Sequence, residues 1–275
     1  MKKLLGIVAS YRKVGNCEIV VKALGGRLGE EWEVSLVRLP RLSIKPCKGC
    51  YACLLPGVEC TIKDDMEWLF DRMREADAIV VAAPDYILGP VGMVKMLTDR
   101  TLQGSKDFEL FQEKRTAVAL TLGREDYRGY ADTALVSQVA GLGLNVVGLE
   151  LFYGTHPGEV ALVEDFDGKI ARLADALVSD VSTEERNPNR CPVCRSDLFR
   201  LRPDGFECAI CKSMAKLEGD RLQFFSFHPA FTKEGQVEHL AWVLGKKEEY
   251  PLLKDRLKAI QDRYRGGRWL HPTGM

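Results

Sequence analysis

Histidine is scarce in this chain, neither sign of charge is in excess, and long apolar runs are missing. Each absence excludes something. No stretch approaches the roughly eighteen consecutive apolar residues that a membrane span requires, so a helical membrane protein is excluded and no membrane partner is expected. Lys+Arg and Asp+Glu both total 39, so no global field draws the chain to nucleic acid or an anionic surface, and partners must be recognised locally. Of the four histidines, His228, His239 and His271 lack metal-ligand spacing, and His156, beside Gly154 and Pro157, reads as an ordinary loop residue. The opening MKKLLGIVASYRK is too short before its turn for a signal peptide, which makes a cytoplasmic protein the expectation.

Cysteine, by contrast, is plentiful. Nine occur among 275 residues, and they divide into two quartets with Cys17 left over. Secreted disulfide scaffolds are shorter and scatter their cysteines, whereas clustered quartets read as metal sites and call for a reducing compartment. Cys47, Cys50, Cys53 and Cys60 are spaced C-x2-C-x2-C-x6-C. A strand or helix does not bring four such side chains together, but a tight loop turning at Gly49 and Gly57 does. The first three have the compact spacing that lets thiolates converge on a cubane (4Fe-4S) iron-sulfur cluster, and a fourth further along closes the site. The plainer alternative is a thiol loop without metal. Isolated cysteines favour apolar surroundings, whereas these lie among Gly, Pro and Lys, which favours the cluster.

With 46% hydrophobic residues, the chain can fill one large domain and something smaller. Residues 4–9 form an apolar run fit for a buried parallel strand, SYRKVGNC follows, and residues 18–28 read as a helix with Ile19, Val20, Ala23 and Leu24 on one face. This order places backbone amides and the positive end of a helix dipole where a phosphate can sit. Alone the signal is unspecific, since any strand-to-helix turn looks similar, and Cys17 reads as a packing residue at the helix start. Residues 33–39 form a second strand leading into the cysteine loop, and Asp64 then caps a helix whose Met66, Leu69, Phe70 and Met73 have core spacing. Residues 77–83 are a strong buried-strand signal running into PDYILGPVGM. Parallel sheets deliver binding loops at strand carboxyl ends, so residues 84–92 are a site candidate. Tyr86 there offers an aromatic face or simply packs on the surface.

Residues 1–180 resemble the flavodoxin-like NAD(P)H-dependent FMN reductases, specifically the iron-sulfur flavoprotein branch. SYRKVGN with Cys17 is similar to that family's S-x-R-x-x-G-N-T phosphate loop, CKGCYACLLPGVECTIKDDM to its cysteine loop, and APDYILGPVGMVKMLTDR to its flavin-ring loop and following helix. The resemblance implies that Ser10, Arg12, Gly15, Asn16 and Cys17 surround the FMN phosphate, while Pro84, Asp85, Tyr86, Ile87, Leu88 and Gly89 line the isoalloxazine. It also implies a homodimer or homotetramer in which cluster and flavin approach across a subunit interface, served by a small redox donor or acceptor, NAD(P)H or a ferredoxin-like protein. Two departures stand out. Tyr11 replaces the usual proline, and Cys17 replaces a threonine that serves the phosphate; a thiol is a weaker donor, so reduced FMN affinity is expected.

Further along, residues 116–122 form a strand ending at Gly123 and Arg124, which reaches the flavin from a third side. A helix at 130–142, a strand at 146–153 and an amphipathic helix marked by Phe166, Ile170, Leu173 and Leu177 complete five strands alternating with helices, as a doubly wound α/β sheet requires. GLGLNVVG at 141–148 follows a helix and enters a strand, the reverse of a dinucleotide fingerprint. Residues 181–190 read as a linker. Cys191, Cys194, Cys208 and Cys211 then form two C-x2-C knuckles thirteen residues apart, which resembles a zinc ribbon (191–228) that needs its metal to fold. A rubredoxin-like iron site competes, but rubredoxins follow each knuckle with glycine, and Arg195 and Lys212 stand here. Phe224, Phe225 and Phe227 read as ribbon strand residues that pack on the main domain or a neighbour. Residues 229–275 form a helical tail with two helices, marked by Val237, Leu240, Ala241 and Leu244 and by Leu253, Leu257, Ile260 and Tyr264, with Pro251 between them.

Two functional classes emerge. The first is a flavin-dependent oxidoreductase in which FMN and a cluster exchange electrons, the cofactors supplying the reactivity and the fold their positions. The second is a redox-sensing binding module whose ribbon contacts nucleic acid or a protein through Arg190, Arg195, Arg200 and Arg202, although a solvated charged face explains those arginines equally well.

Overall fold

The computed structural model describes residues 1–55, 57–179, 189–229 and 232–265. Most of the expected linker and the tail beyond residue 265, His271 included, lie outside them. Strands β1 (Lys2–Val8), β2 (Trp32–Arg38), β3 (Ala78–Tyr86), β5 (Arg115–Leu122) and β6 (Asn145–Tyr153) form a parallel sheet in the order β2-β1-β3-β5-β6, and the two-residue β4 (Gly89–Pro90) hooks back antiparallel onto β3. This is the flavodoxin-like order, with its switch point between β1 and β3. The central strands are continuously apolar because both faces are covered. Leu5, Ile7, Ile79 and Val81 pack against α2 (Met66–Glu75), α3 (Gly92–Thr98), α4 (Phe108–Glu113) and α5 (Ala131–Gly141). Leu4, Val8, Val80 and Ala82 pack against α1 (Asn16–Leu28) and α6 (Phe166–Val178) on the other face. The turn from α5 into β6 needs Gly143: its φ is 90°, and a Cβ there would meet Phe108 at 2.8 Å.

The ribbon is a four-stranded antiparallel sheet of β7 (Phe199–Arg202), β8 (Gly205–Cys208), β9 (Met214–Glu218) and β10 (Arg221–Ser226). Its four cysteines form the core, with Phe199 and Phe224 packed against them. Phe225 and Phe227 are more than half exposed. Polar contacts join the ribbon to the main domain instead. The Arg190 guanidinium reaches Asp132 on α5 at 2.6 Å and Asp197 at 3.0 Å, and the Thr133 hydroxyl donates to Asp197 at 2.6 Å.

The tail corrects the expectation of two helices. Residues Lys233–Arg263 form one helix, α7, with Pro251 inside it and the Thr232 hydroxyl accepting the Gly235 amide at its start. Proline removes one helical hydrogen bond and crowds the carbonyl four residues back. Here Pro251 is exposed, so water can serve the freed carbonyl. Among the described residues, no helix is long and apolar enough to cross a membrane.

Asp132 is 1% exposed, so Asp132→Ala removes the more buried of the two carboxylates that hold Arg190, leaving Asp197, and should cost about 2 kcal/mol. Chemical unfolding followed by circular dichroism checks this. A midpoint equal to that of the parent would show that the ribbon is held in some other way.

Candidate flavin and metal sites

The carboxyl ends of β1, β3, β5 and β6 meet at a cavity of about 130 Å³. Eight of the expected residues line it: Ser10, Arg12, Asn16, Cys17, Pro84, Asp85, Tyr86 and Gly123. Thr121, Leu122, Gly154 and Thr155 also line it and were missed; Gly154 and Thr155 follow a strand end, the signal that could have found them.

Gly15 sits at the N-cap of α1 in extended conformation, and no side chain caps the helix. Amides of an uncapped first turn suit an anion. Asn16 ties the loop down by donating to the Gly154 carbonyl and accepting the Gly158 amide, each at 2.9 Å. Arg38, which no sequence motif marks, donates to the carbonyls of Ser10 at 3.0 Å and Arg12 at 2.8 Å and pairs with Glu18. Hydrogen bonds from Lys22, then from Arg38 and the Val14 amide, outweigh burial and lower the Glu18 pKa to about 2. Cys17 packs into the core at the start of α1 while bordering the cavity: it is 2% exposed, its Sγ lies 3.2 Å from the Thr121 hydroxyl, and burial pushes the thiol up to about 11.

Asp85 carries the clearest sign of a ligand. Its Oδ1 is buried with no hydrogen-bond partner, and burial raises its pKa. Beyond it, pairing of Tyr86 with Gly89 makes Ile87 and Leu88 the centre of a tight turn, at φ 54° and 66°. Such values are costly for L-residues, most of all for a β-branched one. The turn is held by the Tyr130 amide, which donates to the Leu88 carbonyl at 3.1 Å, and by Gly129, where a Cβ would come within 2.5 Å of Leu88. Gly15, Ile87, Leu88 and Gly89 therefore do not line the cavity. Ile87 is 92% exposed, and with Tyr86 and Leu88 it forms an apolar platform outside. The cavity has room for a group the size of a phosphate but not for a ring system the size of a flavin.

The first cysteine quartet lines one small pocket together with Arg100 and Gln103. Gly49 and Gly57 turn the loop with φ 61° and 73°. Its sulfurs sense one another: burial and then the Cys60, Cys47 and Cys50 charges raise the Cys53 pKa, whereas the Ala52 amide and then the Thr61 hydroxyl lower that of Cys50. Among the described residues, only the second quartet brings its ligand atoms within 4.8 Å of one another. A single tetrahedral ion needs that convergence, whereas a cubane holds its cysteines further apart because its irons stand between them. Asp64 does reach the first helical amide, accepting from Met66 at 3.2 Å, but it is chiefly the partner of Arg100 at 2.6 Å.

Cys191, Cys194, Cys208 and Cys211 are all fully buried, with the Cys191–Cys211 and Cys194–Cys208 sulfurs 3.3 and 3.4 Å apart. Tetrahedral thiolates about 2.3 Å from a metal stand at nearly such separations. Hydrogen bonding with Cys191 and then Cys208 raises the Cys194 pKa, and bonds from Cys191 and then Cys194 lower that of Cys208. A metal ion would stand in for those shared protons. Arg195 and Lys212 take φ 62° and 70°, the conformation glycine would supply, so the knuckle backbone itself suits zinc or iron. Arg190 pairs with Asp132 and Asp197, whereas Arg200 and Arg202 share the single carboxylate of Glu207 with Lys212. The basic-surface reading is thereby weakened at Arg190 and only partly offset at Arg200 and Arg202.

The sequence profile of the NADPH-dependent FMN reductases matches residues 2–156. The chain belongs to that family. Within the FMN reductases it is similar to the iron-sulfur flavoprotein of Methanosarcina thermophila, 37% identical over 123 residues that cover 44% of this chain and 63% of that protein. An iron-sulfur flavoprotein of Archaeoglobus fulgidus is 32% identical over 162 residues, covering 58% of this chain and 71% of the other. The chain thus spans a little under two thirds of the first of these relatives. A solved flavone reductase shares the fold, with a TM-score of 0.65, 20% identity and coverage of 98% of this chain and 99% of that one.

A thiol titrating at about 11 is about one part in a thousand thiolate at pH 8, and Cys17 is also shielded. Iodoacetamide at pH 8 should therefore leave Cys17 unlabelled in the folded protein and modify it after denaturation, as read by peptide mass spectrometry. Labelling at equal rates in both states would contradict this placement.

Proposed function

We propose that the chain is a flavin-dependent oxidoreductase that passes electrons between FMN, held at the Ser10, Arg12, Asn16 and Asp85 cavity, and an iron-sulfur cluster held by Cys47, Cys50, Cys53 and Cys60. The observation that carries this reading is the buried, unpartnered Asp85 Oδ1 in a cavity that also receives the uncapped start of α1. When bound, FMN exchanges two electrons with a hydride donor such as NAD(P)H and single electrons with a metal centre. The first-turn amides of α1 and Arg12 would receive the phosphate, Asp85 would accept a hydrogen bond from the bound nucleotide, and Tyr86, Ile87 and Leu88 would support the apolar face of its ring.

The position of α3 favours transfer between the two sites. It starts beside the flavin turn, where the Val91 amide donates to the Pro84 carbonyl at 3.0 Å, and just past its end Arg100 meets the cysteine loop. Seven residues at 1.5 Å each span about 10 Å. The exposed platform calls for a cover once a ring lies on it, which favours a homodimer or homotetramer. A ferredoxin-like protein or another small redox partner would exchange electrons with the cluster. The ribbon is assigned a closed structural metal site, since its four buried sulfurs leave no open position, and zinc is the ion proposed for it. Nine cysteines, none of them in a disulfide, fit a reducing cytoplasm.

Cys50→Ala tests the electron path. The variant should retain FMN, which can still be reduced chemically, while reduction of a one-electron acceptor such as cytochrome c falls at least about tenfold, a barrier change of about 1.4 kcal/mol. An unchanged rate would take the cysteine loop off the path.

A further inference from the structure

We propose that Arg100 is a positioning residue for the first cysteine loop: it locks the loop closed and, through its hydrogen bond to Cys60, sets the reduction potential of the centre held there. The inference rests on the cluster reading above. Arg100 is 2% exposed, one of the largest fully buried side chains, and a buried guanidinium is unfavourable unless its donors find acceptors. Here they do. Nη1 donates to the Lys45 carbonyl at 2.9 Å and to Asp64 Oδ2 at 2.6 Å; Nη2 donates to Gln103 Oε1 at 2.6 Å, Asp64 Oδ1 at 3.3 Å and Cys60 Sγ at 3.5 Å.

These contacts divide into two jobs. Lys45 precedes Cys47 and Asp64 follows Cys60, so one planar fork clasps both ends of the cysteine loop. Asp64 completes the clasp by accepting the Lys45 amide at 2.8 Å. Closure requires only Nη1 and the carboxylate. The Nη2 contact with sulfur adds something closure does not need: an N–H dipole aimed at a metal-binding thiolate. Hydrogen bonds to ligand sulfurs and burial are among the means by which a protein sets cluster potential. A donor stabilises the state with the extra negative charge, so Arg100 raises the potential. Lysine would keep a positive charge, but it lacks the planar fork that serves both jobs at once.

The test is a redox titration, monitored by visible absorbance and electron paramagnetic resonance, of anaerobically purified full-length protein, Arg100→Lys and Arg100→Gln, with iron and sulfide measured in each. The expected result is a downward shift of the cluster potential, larger in Arg100→Gln than in Arg100→Lys, with the FMN potential unmoved. If Arg100→Gln loses its cluster, the Arg100→Lys potential decides: a lowered value supports the inference and an unchanged value overturns it. Variants with full iron and sulfide titrating at the parent potential overturn it alone. A parent protein without iron and sulfide overturns the cluster reading, and this inference with it.

Discussion

A parallel sheet sends all its strand carboxyl ends to one edge, and the chemistry of this chain depends on that edge. Burial on both faces fixes the central strands β1, β3 and β5, and the edge strands β2 and β6 pair onto them, so the loops that leave them start from rigid points. The loops after β1, β3, β5 and β6 converge on one cavity, and the exit of β2 leads into the cysteine loop. Short contacts then tie the loops to one another: Asn16 to the β6 loop, Arg12 to the Thr155 carbonyl, Arg38 to the loop after β1. The cavity is shaped by these cross-ties more than by any one loop.

The two cysteine quartets show how one residue type yields two kinds of site. In the ribbon, two knuckles face each other across paired hairpins, every sulfur is buried, and the four converge on a point. In the first loop the sulfurs are exposed or half buried around a pocket, and the loop takes its shape from Asp64 and Arg100 outside the cysteine run. The first arrangement suits one closed-shell ion that organises a small fold. The second suits a larger centre that exchanges electrons with its surroundings. The ribbon is also bound to α5 by Asp132 and Thr133, next to Gly129 and Tyr130, which hold the strained Ile87–Leu88 turn.

Much of this was legible in the sequence because its signals are local. Apolar runs such as residues 77–83 announce strands buried on both faces, the spacing of Met66, Leu69, Phe70 and Met73 announces a core helix, and the cysteine spacings announce their loops. Eight of the cavity residues lie in motifs that read as loops after strands. What stayed hidden is contact between distant residues. Arg38 serves Ser10 and Arg12 from 28 and 26 residues away, and Arg100 serves Lys45 from 55; Arg38 lies in no motif, and Arg100 closes the flavin-loop motif without any sign there of its hold on the cysteine loop. Pro251 misled because its breaking effect weakens where water can satisfy the freed carbonyl. Of the ribbon aromatics, Phe224 packs on the ribbon's own cysteines while Phe225 and Phe227 stay exposed; hydrophobicity alone does not say which surface a side chain will cover.

The central claim is that one chain holds a flavin and two different metal centres. The most direct measurement is the cofactor content of anaerobically purified protein: flavin released by acid and identified chromatographically, with iron, acid-labile sulfide and zinc counted per chain. The account predicts FMN, about four irons with a matching number of sulfides, and about one zinc. FAD, no flavin at all, or iron without sulfide would contradict it.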